Sequence, residues 1–360
     1  MERFDCDVRV ISGAGAVNTL AELGIRRLLL VTDPYFSQNG TAARIAGISG
    51  ASAVDIFDGI RPDPSVALAA EGTARVRQFQ PDAIVALGGG SAMDCAKAML
   101  FFSGMDPMLI AIPTTSGSGS EVTDFSILTH DNVKHPLVDR RIRPKYALLD
   151  GNLLKELPRG LIADTGFDVL CHAIEAFCAA NAGAITDALA RDAFCTAFAA
   201  LPASFAGDLS VRQRIHTAAT MAGMAFTQAG LGLCHALAHS LGGAFHIPHG
   251  RLNAILLPAV IGCNAHAAMG KYAQLARSAG LGGSSDTMAV RNLKNALIRL
   301  RRDLKMPDTL ARAGVDPRQV WQQSAAIVEA ALKDPCCDTN PMPVEDFMVR
   351  QVLEEVTGRV

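Results

Sequence analysis

Asp168, His172, His235 and His249 have the types and spacings of a metal site built from one carboxylate and three imidazoles. Asp168 and His172 stand four residues apart in DTGFDVLCHAIEAF, which on a helix places both side chains on one face, a turn apart. His235 lies near the start of CHALAHSLGGAFHIPHG and His249 near its end, 14 residues on. A pair one turn apart plus two distant histidines is a pattern by which a helical domain clamps a first-row divalent ion. Alone, Asp168 and His172 read more readily as ordinary members of an alanine-rich helix. Five of the nine histidines, however (His235, His239, His246, His249 and His266), crowd one apolar, glycine-rich stretch. Unpaired rings are costly in such surroundings, so the crowding predicts something for them to bind.

A second chemistry sits in the glycine-rich turns. In DAIVALGGGSAMDCAKAM a buried strand runs into Gly88, Gly89 and Gly90 and then a helix, with Ser91 as the expected N-cap and Asp94 three residues on, in the manner of a capping box. Backbone N–H groups unobstructed by β-carbons at such a start can accept a pyrophosphate. The turn is not G-x-G-x-x-G, so the usual dinucleotide fingerprint is absent, and a plain chain reversal is the competing reading. A second loop, IPTTSGSGSEVTD, follows another apolar strand and offers the hydroxyls of Thr114, Thr115, Ser116 and Ser118. Two such loops after two strands suggest a nucleotide lying across a sheet edge. Upstream, LLLVTDPY ends a strand at Asp33, whose carboxylate could accept from a ribose 2′-hydroxyl and repel a 2′-phosphate. That predicts NAD over NADP; the alternative is an Asp that merely opens a turn before Pro34.

These residues need two kinds of scaffold. Through residue 157 short apolar runs alternate with helical stretches, the texture of a Rossmann-like α/β domain with a mainly parallel sheet. From LPRGLIADTGFD onward β signals fade and Ala, Leu and Met recur at helical spacing. An α/β dinucleotide-binding domain, 1–157, followed by an all-helical metal-binding, catalytic domain, 158–360, is the expected organisation, with ELPRG at 156–160 as the hinge. A chain of 360 residues also exceeds what one core usually supports.

Composition excludes several classes. No apolar run approaches the roughly 18 to 20 residues that span a bilayer; LNAILLPAVIG reads as core. The opening MERFDCDVRVISG lacks a signal-peptide apolar region, which predicts a cytoplasmic protein. A formal net charge of −2 argues against nucleic-acid binding, and the basic stretch DRRIRPK at 139–145 reads as a solvated loop. Nine cysteines without a CxxC predict no disulfides. Cys171 and Cys234 each precede an expected ligand, and a helical neighbour at i−1 points some 100° away from the ligand face.

The segments GGGSAMDCAKA, IPTTSGSGSEVT, TGFDVLCHAIEAF and GLGLCHALAHSLGGAFHIPHGRLNAILLP resemble, in order, the signature stretches of the iron-containing, group III, alcohol dehydrogenases. The likeness runs from VRVISGAGAV to NPMPVEDFMVRQVL, nearly the whole chain. Within that family the chain resembles the 1-propanol dehydrogenases of propanediol-utilising bacterial microcompartments, through RPDPSVA, GGGSAMDCAKAM, PLVDRRIRPKYALLD and FHIPHGRLNAILLPAVI.

The resemblance implies the dehydroquinate synthase-like fold of that family, Fe²⁺ on Asp168, His172, His235 and His249, and NAD(H) contacts at Asp33, the turn ending in Gly89, Gly90 and Ser91, Thr114, Thr115, Ser118 and Lys134. Zn²⁺ suits the same donors and is favoured by the Irving–Williams order. Three departures stand out: Ser118 where Thr is commoner, Phe167 in place of Met, and His246 where Asn is frequent, the last a candidate for lining the substrate pocket. The implied reaction interconverts short aldehydes such as propanal and acetaldehyde with primary alcohols, the metal acting as Lewis acid and the nicotinamide carrying the hydride. His239, one turn after His235, is placed to orient the nicotinamide or relay the proton. The same likeness implies an even-numbered homo-oligomer, with a microcompartment as a setting and its shell or lumen enzymes as partners.

Other readings share parts of this pattern. A dehydroquinate synthase or glycerol dehydrogenase-like enzyme acting on a polyol or charged aldehyde would share the architecture, although dehydroquinate synthase carries a Glu in its metal set. A metal-dependent hydrolase would not need the two glycine-rich loops. A metal-binding scaffold would need neither an open site nor a cofactor.

Overall fold

The computed structural model describes residues 4–130 and 133–358. The chain falls into two compact units, one of Cys6–Leu157 and one that starts at Pro158. Asp5 belongs to the second, its carbonyl accepting from Gln228 Nε2 at 3.1 Å.

The first unit is built on β1 (Arg9–Ser12), β2 (Arg27–Val31), β3 (Ala53–Phe57), β4 (Ala83–Gly88), β5 (Met108–Pro113), β6 (Phe125–His130), β7 (Val133–Val138) and β8 (Tyr146–Leu149). Six of these form one sheet in the order β1-β8-β5-β4-β2-β3, every pair parallel. RLLLV, AIVALG and MLIAIP are nearly unbroken apolar runs because a parallel sheet is covered on both faces. One face carries Leu29, Val31, Ile84, Ala86, Leu109 and Ala111 into a core with Met93, Ala96 and Met99. The alternate residues Leu28, Leu30, Val85, Leu87, Ile110 and Ile112 enter the opposite core with Leu20 and Ile45. A register slip of one residue would exchange the two sets.

Four helices attend the sheet: α1 (Pro34–Gln38), α2 (Thr41–Ile48), α3 (Val66–Phe79) and α4 (Gly90–Ser103). Strands β2, β4 and β5 are neighbours, so the turns that leave their carboxyl ends, at Asp33, Gly88–Gly90 and Thr114, emerge side by side. The chain passes from β2 outward to β3 and then crosses back to β4, which makes the boundary between β2 and β4 the point where strand order reverses. Open α/β sheets bind ligands at such a point. The antiparallel hairpin β6–β7 stands apart from the main sheet.

The second unit is helical throughout its described residues, as the fading β signal predicts. It comprises α5 (Arg159–Cys178), α6 (Ala184–Ala206), α7 (Arg212–Ala229), α8 (Leu233–Phe245), α9 (His249–Ser278), α10 (Asp286–Asp303), α11 (Pro317–Gln322), α12 (Ser324–Leu332) and α13 (Asp346–Thr357). Pro158 with φ −60° starts α5, a role its fixed φ suits. Helix α5 is buried from Ile162 almost continuously to Cys178, so its two ligand candidates lie deep. Helix α9 is long and apolar enough to cross a membrane by length and composition, more than the apolar runs of the sequence suggest, but 67% of that window is buried inside the protein and the helix kinks at Ala268. It is a core helix of this unit.

Two local expectations are corrected. Helix α4 is capped at Gly89 with no side-chain cap bond, so Ser91 is inside the helix. Asp94 does not close a capping box either: its Oδ1 accepts from Ser120 Oγ at 3.0 Å. Nor is the stretch 139–145 simply solvated. Ile142 and Arg143 are buried, and Arg143 donates to Asp7 at 2.8 Å and Asp124 at 2.7 Å.

Candidate functional site

In the helical unit Asp168, His172, His235 and His249 each offer a ligand atom, all within 4.8 Å of one another. Asp168 and His172 come from one face of α5, with His172 Nδ1 3.8 Å from Asp168 Oδ1. His235 is in the first turn of α8 and His249 opens α9. Their Nε2 atoms lie 3.9 and 3.5 Å from Asp168 Oδ1. The rings are held by stacking: His172 packs face to face between Phe226 and His235, at 4.5 and 4.4 Å.

Helix α9 approaches α5 closely enough that a β-carbon on Gly250 would stand 1.9 Å from the carbonyl oxygen of Asp164. The next residue, Arg251, donates from Nε and Nη2 to both oxygens of Asp164 at 3.2 and 2.9 Å. This pair clamps α9 to α5 close to the ligands His249 and Asp168.

The donor set suits a borderline divalent ion. Burial first, then the neighbouring His172 and His239 rings, push His235 well below the ordinary imidazole range, so it is neutral and able to ligate at pH 7. His172 Nδ1 is buried without a hydrogen-bond partner among the described residues, which is costly for a polar atom. Three imidazoles and a carboxylate converging on one point therefore fit iron in chemistry and in number.

Four supporting residues are not apparent from the sequence motifs. Glu175 is fully buried on α5; its Oε2 lies 2.6 Å from His235 Nδ1. Burial raises its carboxyl to about 7 against three backbone N–H groups that pull it down. Its position seven beyond Asp168 and three beyond His172 is a same-face spacing that could have found it. Asn253, one turn after His249, donates from Nδ2 to Asp168 Oδ1 at 2.8 Å. Asp334 meets His239 across 95 positions, a pairing no local pattern signals. Lys97 is the fourth and belongs to the other unit.

Cys171 and Cys234 are buried beside the ligands, with Cys171 Sγ 3.7 Å from His235 Nδ1. Burial holds both thiols above their ordinary range, so neither is poised as a thiolate ligand. All nine cysteines are free. His246 and His266 are exposed, so the crowding argument fails for them. His246 is the left-handed residue that ends α8, with φ 53°.

In the α/β unit the expected nucleotide residues gather at the strand ends. Gly88 has φ 155°, and a β-carbon there would strike Ala92 Cβ at 2.6 Å and stand 3.8 Å from Asp33 Oδ2. A β-carbon on Gly89 would approach Thr115 Oγ1 at 3.2 Å and one on Gly90 Ser118 Oγ at 3.3 Å. The two glycine-rich loops are thus packed on each other. Asp33 opens α1, as the turn reading expects: Oδ1 accepts from the N–H groups of Tyr35 and Phe36 at 2.9 and 3.3 Å, while Oδ2 faces the Gly88 turn. Lys134 is on the hairpin with its ammonium 3.0 Å from Asp63 Oδ1.

Lys97 is wholly buried and donates to Ser120 O, Ser120 Oγ, Thr123 Oγ1 and Phe125 O at 2.6 to 3.0 Å. It ties α4, whose first turn follows the triple glycine, to the end of the second loop. Burial lowers it to about 8, with Asp94, Glu121 and Asp124 opposing that change.

Comparison with known proteins agrees with the fold. The family described as "Iron-containing alcohol dehydrogenase" matches residues 8–151, and "Fe-containing alcohol dehydrogenase family, C-terminal" matches 162–357. The chain is 38% identical to the 1-propanol dehydrogenase PduQ of Citrobacter freundii over 99% of this chain and all of that one. It is 35% identical to an NADPH-dependent butanol dehydrogenase of Clostridium saccharobutylicum, covering 98% of this chain and 97% of that one. Among solved structures, the sulfoacetaldehyde reductase of Bifidobacterium kashiwanohense in complex with NAD+ aligns with a TM-score of 0.89 at 28% identity, covering 98% of each chain. The chain belongs to the iron-containing alcohol dehydrogenase family.

Proposed function

We propose that this alcohol dehydrogenase reduces small aliphatic aldehydes, with propanal and acetaldehyde favoured, using NADH and Fe²⁺ held by Asp168, His172, His235 and His249. The observation that carries the reading is the convergence of those four side chains within 4.8 Å in a chain of this family. Iron and reduced nicotinamide supply, when bound, polarisation of the carbonyl and the hydride. Asp168 and the three imidazoles hold the ion, and Asn253 orients the Asp168 carboxylate by its hydrogen bond. His239, whose Nδ1 faces Asp334, keeps Nε2 for a proton delivered to the product oxygen. Glycines 88–90, Ser91, Thr114, Thr115 and Ser118 receive the nucleotide's phosphates, Lys134 adds a positive charge nearby, and Asp33 selects against a 2′-phosphate. No Lys or Arg occurs from Leu233 through Gly250, which leaves the segment around Phe245 and His246 without an anchor for an anionic substrate. The relatives named for 1-propanol and butanol oxidoreduction support a short-chain substrate. An even-numbered homo-oligomer in the cytoplasm, associated with a microcompartment, is the setting that the sequence likeness supports.

The test is anaerobic reconstitution with Fe²⁺ and NADH oxidation against ethanal, propanal, butanal and a sulfonated or phosphorylated aldehyde. A small apolar pocket discriminates by about 1 to 3 kcal/mol per methylene, so neighbouring short aldehydes should differ by about 10- to 200-fold at most. A charged aldehyde with the highest kcat/KM would overturn the substrate assignment. His249→Ala should lose metal and activity together; full metal occupancy with undiminished turnover would remove His249 from the ligand set.

A further inference from the structure

Glu175 makes more contacts than a helix cap requires. Its Oε1 accepts from Cys234 N at 2.7 Å, and its Oε2 accepts from Gly232 N at 3.1 Å and His235 N at 3.3 Å. These bonds satisfy three N–H groups at the start of α8, Asn340 Oδ1 taking that of Leu233, and place a negative group at the positive end of that helix. The fourth contact is different in kind: Oε2 lies 2.6 Å from His235 Nδ1, the shortest of the set. The cradle is built around it, since Gly232 lacks the β-carbon that would stand 2.9 Å from Oε1.

We propose that Glu175 is the positioning residue that fixes the tautomer and orientation of His235, and through them the affinity of the metal centre; the proposal rests on the reading of that centre given above. The three backbone N–H groups that Glu175 accepts favour its carboxylate form, and in that form the proton of the 2.6 Å contact belongs to Nδ1. A neutral imidazole protonated at Nδ1 has its lone pair on Nε2. On the other edge Nε2 faces Asn253 Nδ2 at 3.4 Å, an NH₂ group whose two hydrogens are shared with Asp168 Oδ1 at 2.8 Å and His249 Nε2 at 3.3 Å, which is compatible with an unprotonated Nε2. The Glu175 contact on the Nδ1 edge is thus what specifies the tautomer, the one whose Nε2 can ligate. Cys171 Sγ, 3.7 Å from Nδ1, is a weak acceptor and could not impose that choice. Asp168, His172 and Glu175 share α5, so one helix carries two ligands and the support of a third, which sits on α8.

Two measurements test this. In protein labelled with ¹⁵N-histidine, long-range proton–nitrogen spectra of the metal-free and Zn²⁺-loaded wild type should show His235 protonated at Nδ1 in both, with Zn²⁺ shifting Nε2; His235 protonated at Nε2 in the metal-free protein overturns the proposal. In Glu175→Gln one carboxylate oxygen becomes an NH₂ group, which must oppose at least one N–H donor or hand its proton to Nδ1. Competition with a chromophoric chelator should then show Zn²⁺ affinity weakened by about 10- to 100-fold, with helical circular dichroism retained. Reduced thermal stability of the metal-free variant with unchanged Zn²⁺ affinity would leave Glu175 a helix cap only and overturn the proposal. If wild type and His249→Ala bind Zn²⁺ equally, the reading of the metal centre fails instead, which the variant at position 175 alone would not reveal. Should Glu175→Gln not fold, the wild-type tautomer decides.

Discussion

His239 Nδ1 lies 2.8 Å from Asp334 Oδ2, and the His239 ring stacks on that of His249 at 5.3 Å with the planes 14° apart. A carboxylate on one ring nitrogen leaves the other as the only one able to serve chemistry. If His239 moves the proton, His239→Ala should lower kcat by about 10²- to 10⁴-fold, and Asp334→Asn, which keeps the ring but loosens its orientation, by a smaller factor. Metal content measured alongside separates this from loss of the neighbouring ligand. Equal and small effects of both variants would assign the pair to packing.

The same contact predicts an acid limb of stability. Burial pushes the Asp334 carboxyl up, but the hydrogen bond and charge of His239 and the Cys336 N–H outweigh it and bring the group down to about 2 from 3.8. A folded-state value below the unfolded one stabilises the fold above about pH 4, and that stabilisation drains away as pH falls toward 2. It amounts to about 2 kcal/mol at one unit per 1.36 kcal/mol. Denaturant titrations of wild type and Asp334→Asn should converge between pH 4 and 2; parallel curves over that range would contradict the assignment.

Cofactor choice turns on Asp33, which divides its two oxygens between the α1 cap and the Gly88 turn. Asp33→Ser retains a capping oxygen and removes the charge, so it isolates the second role. A like-charge penalty of about 1.4 to 3 kcal/mol against a 2′-phosphate predicts that the NADH-to-NADPH ratio of kcat/KM narrows by about 10- to 100-fold. An unchanged ratio would return Asp33 to the helix cap alone. The comparison is pointed because a 35% identical relative is named as NADPH-dependent.

The legible parts of this chain were those whose signal is local. The apolar runs LLLV, AIVALG and MLIAIP announce a sheet covered on both faces, and Asp168 and His172 announce one helix face. Less legible were contacts that join distant positions by tertiary packing. Asp334 has no periodic relation to His239, and Arg143 reads as part of an exposed basic run until Asp7 and Asp124 close on it. The capping box inferred at Ser91 failed because Gly89 opens α4 and Asp94 turns inward to Ser120. Glu175 is an intermediate case: its spacing was visible, but nothing in the sequence says that the start of α8 would be folded onto it.

Lys97 should matter to the nucleotide more than to the chemistry. Its burial in charged form is unfavourable, and its folded-state value of about 8 against 10.5 means that its contribution to stability rises with pH from 8 to 10.5. Lys97→Met removes that burden, yet it also takes the ammonium donor from two carbonyls and two hydroxyls and leaves Asp94 without its cation. Breaking a buried ionic network from one side outweighs the relief, at about 3 to 5 kcal/mol. With the second loop untethered from α4, KM for NADH should rise more than kcat falls. A variant as stable as wild type, with unchanged KM, would show that the loop holds its shape without Lys97.

Two glycines of α9 make opposite predictions from the same substitution. Gly270 is exposed, and a β-carbon added there would have nothing within 4 Å. Gly270→Ala should therefore stabilise by about 0.5 to 1 kcal/mol through helix propensity. At Gly250 the added carbon would meet Asp164 O at 1.9 Å and Asp164 C at 2.6 Å, backbone atoms of α5 that cannot turn aside as a side chain could. The only relief is to move α9 away from α5, which stretches the Arg251–Asp164 pair and draws His249 from Asp168. Gly250→Ala should cost several kcal/mol by overpacking and should weaken metal binding in whatever protein remains folded. Thermal denaturation of both variants, with iron content determined on each, checks the pair. Near-equal stabilities, or a Gly250→Ala protein that retains its full complement of iron, would mean that the close approach of α9 to α5 is not what places His249.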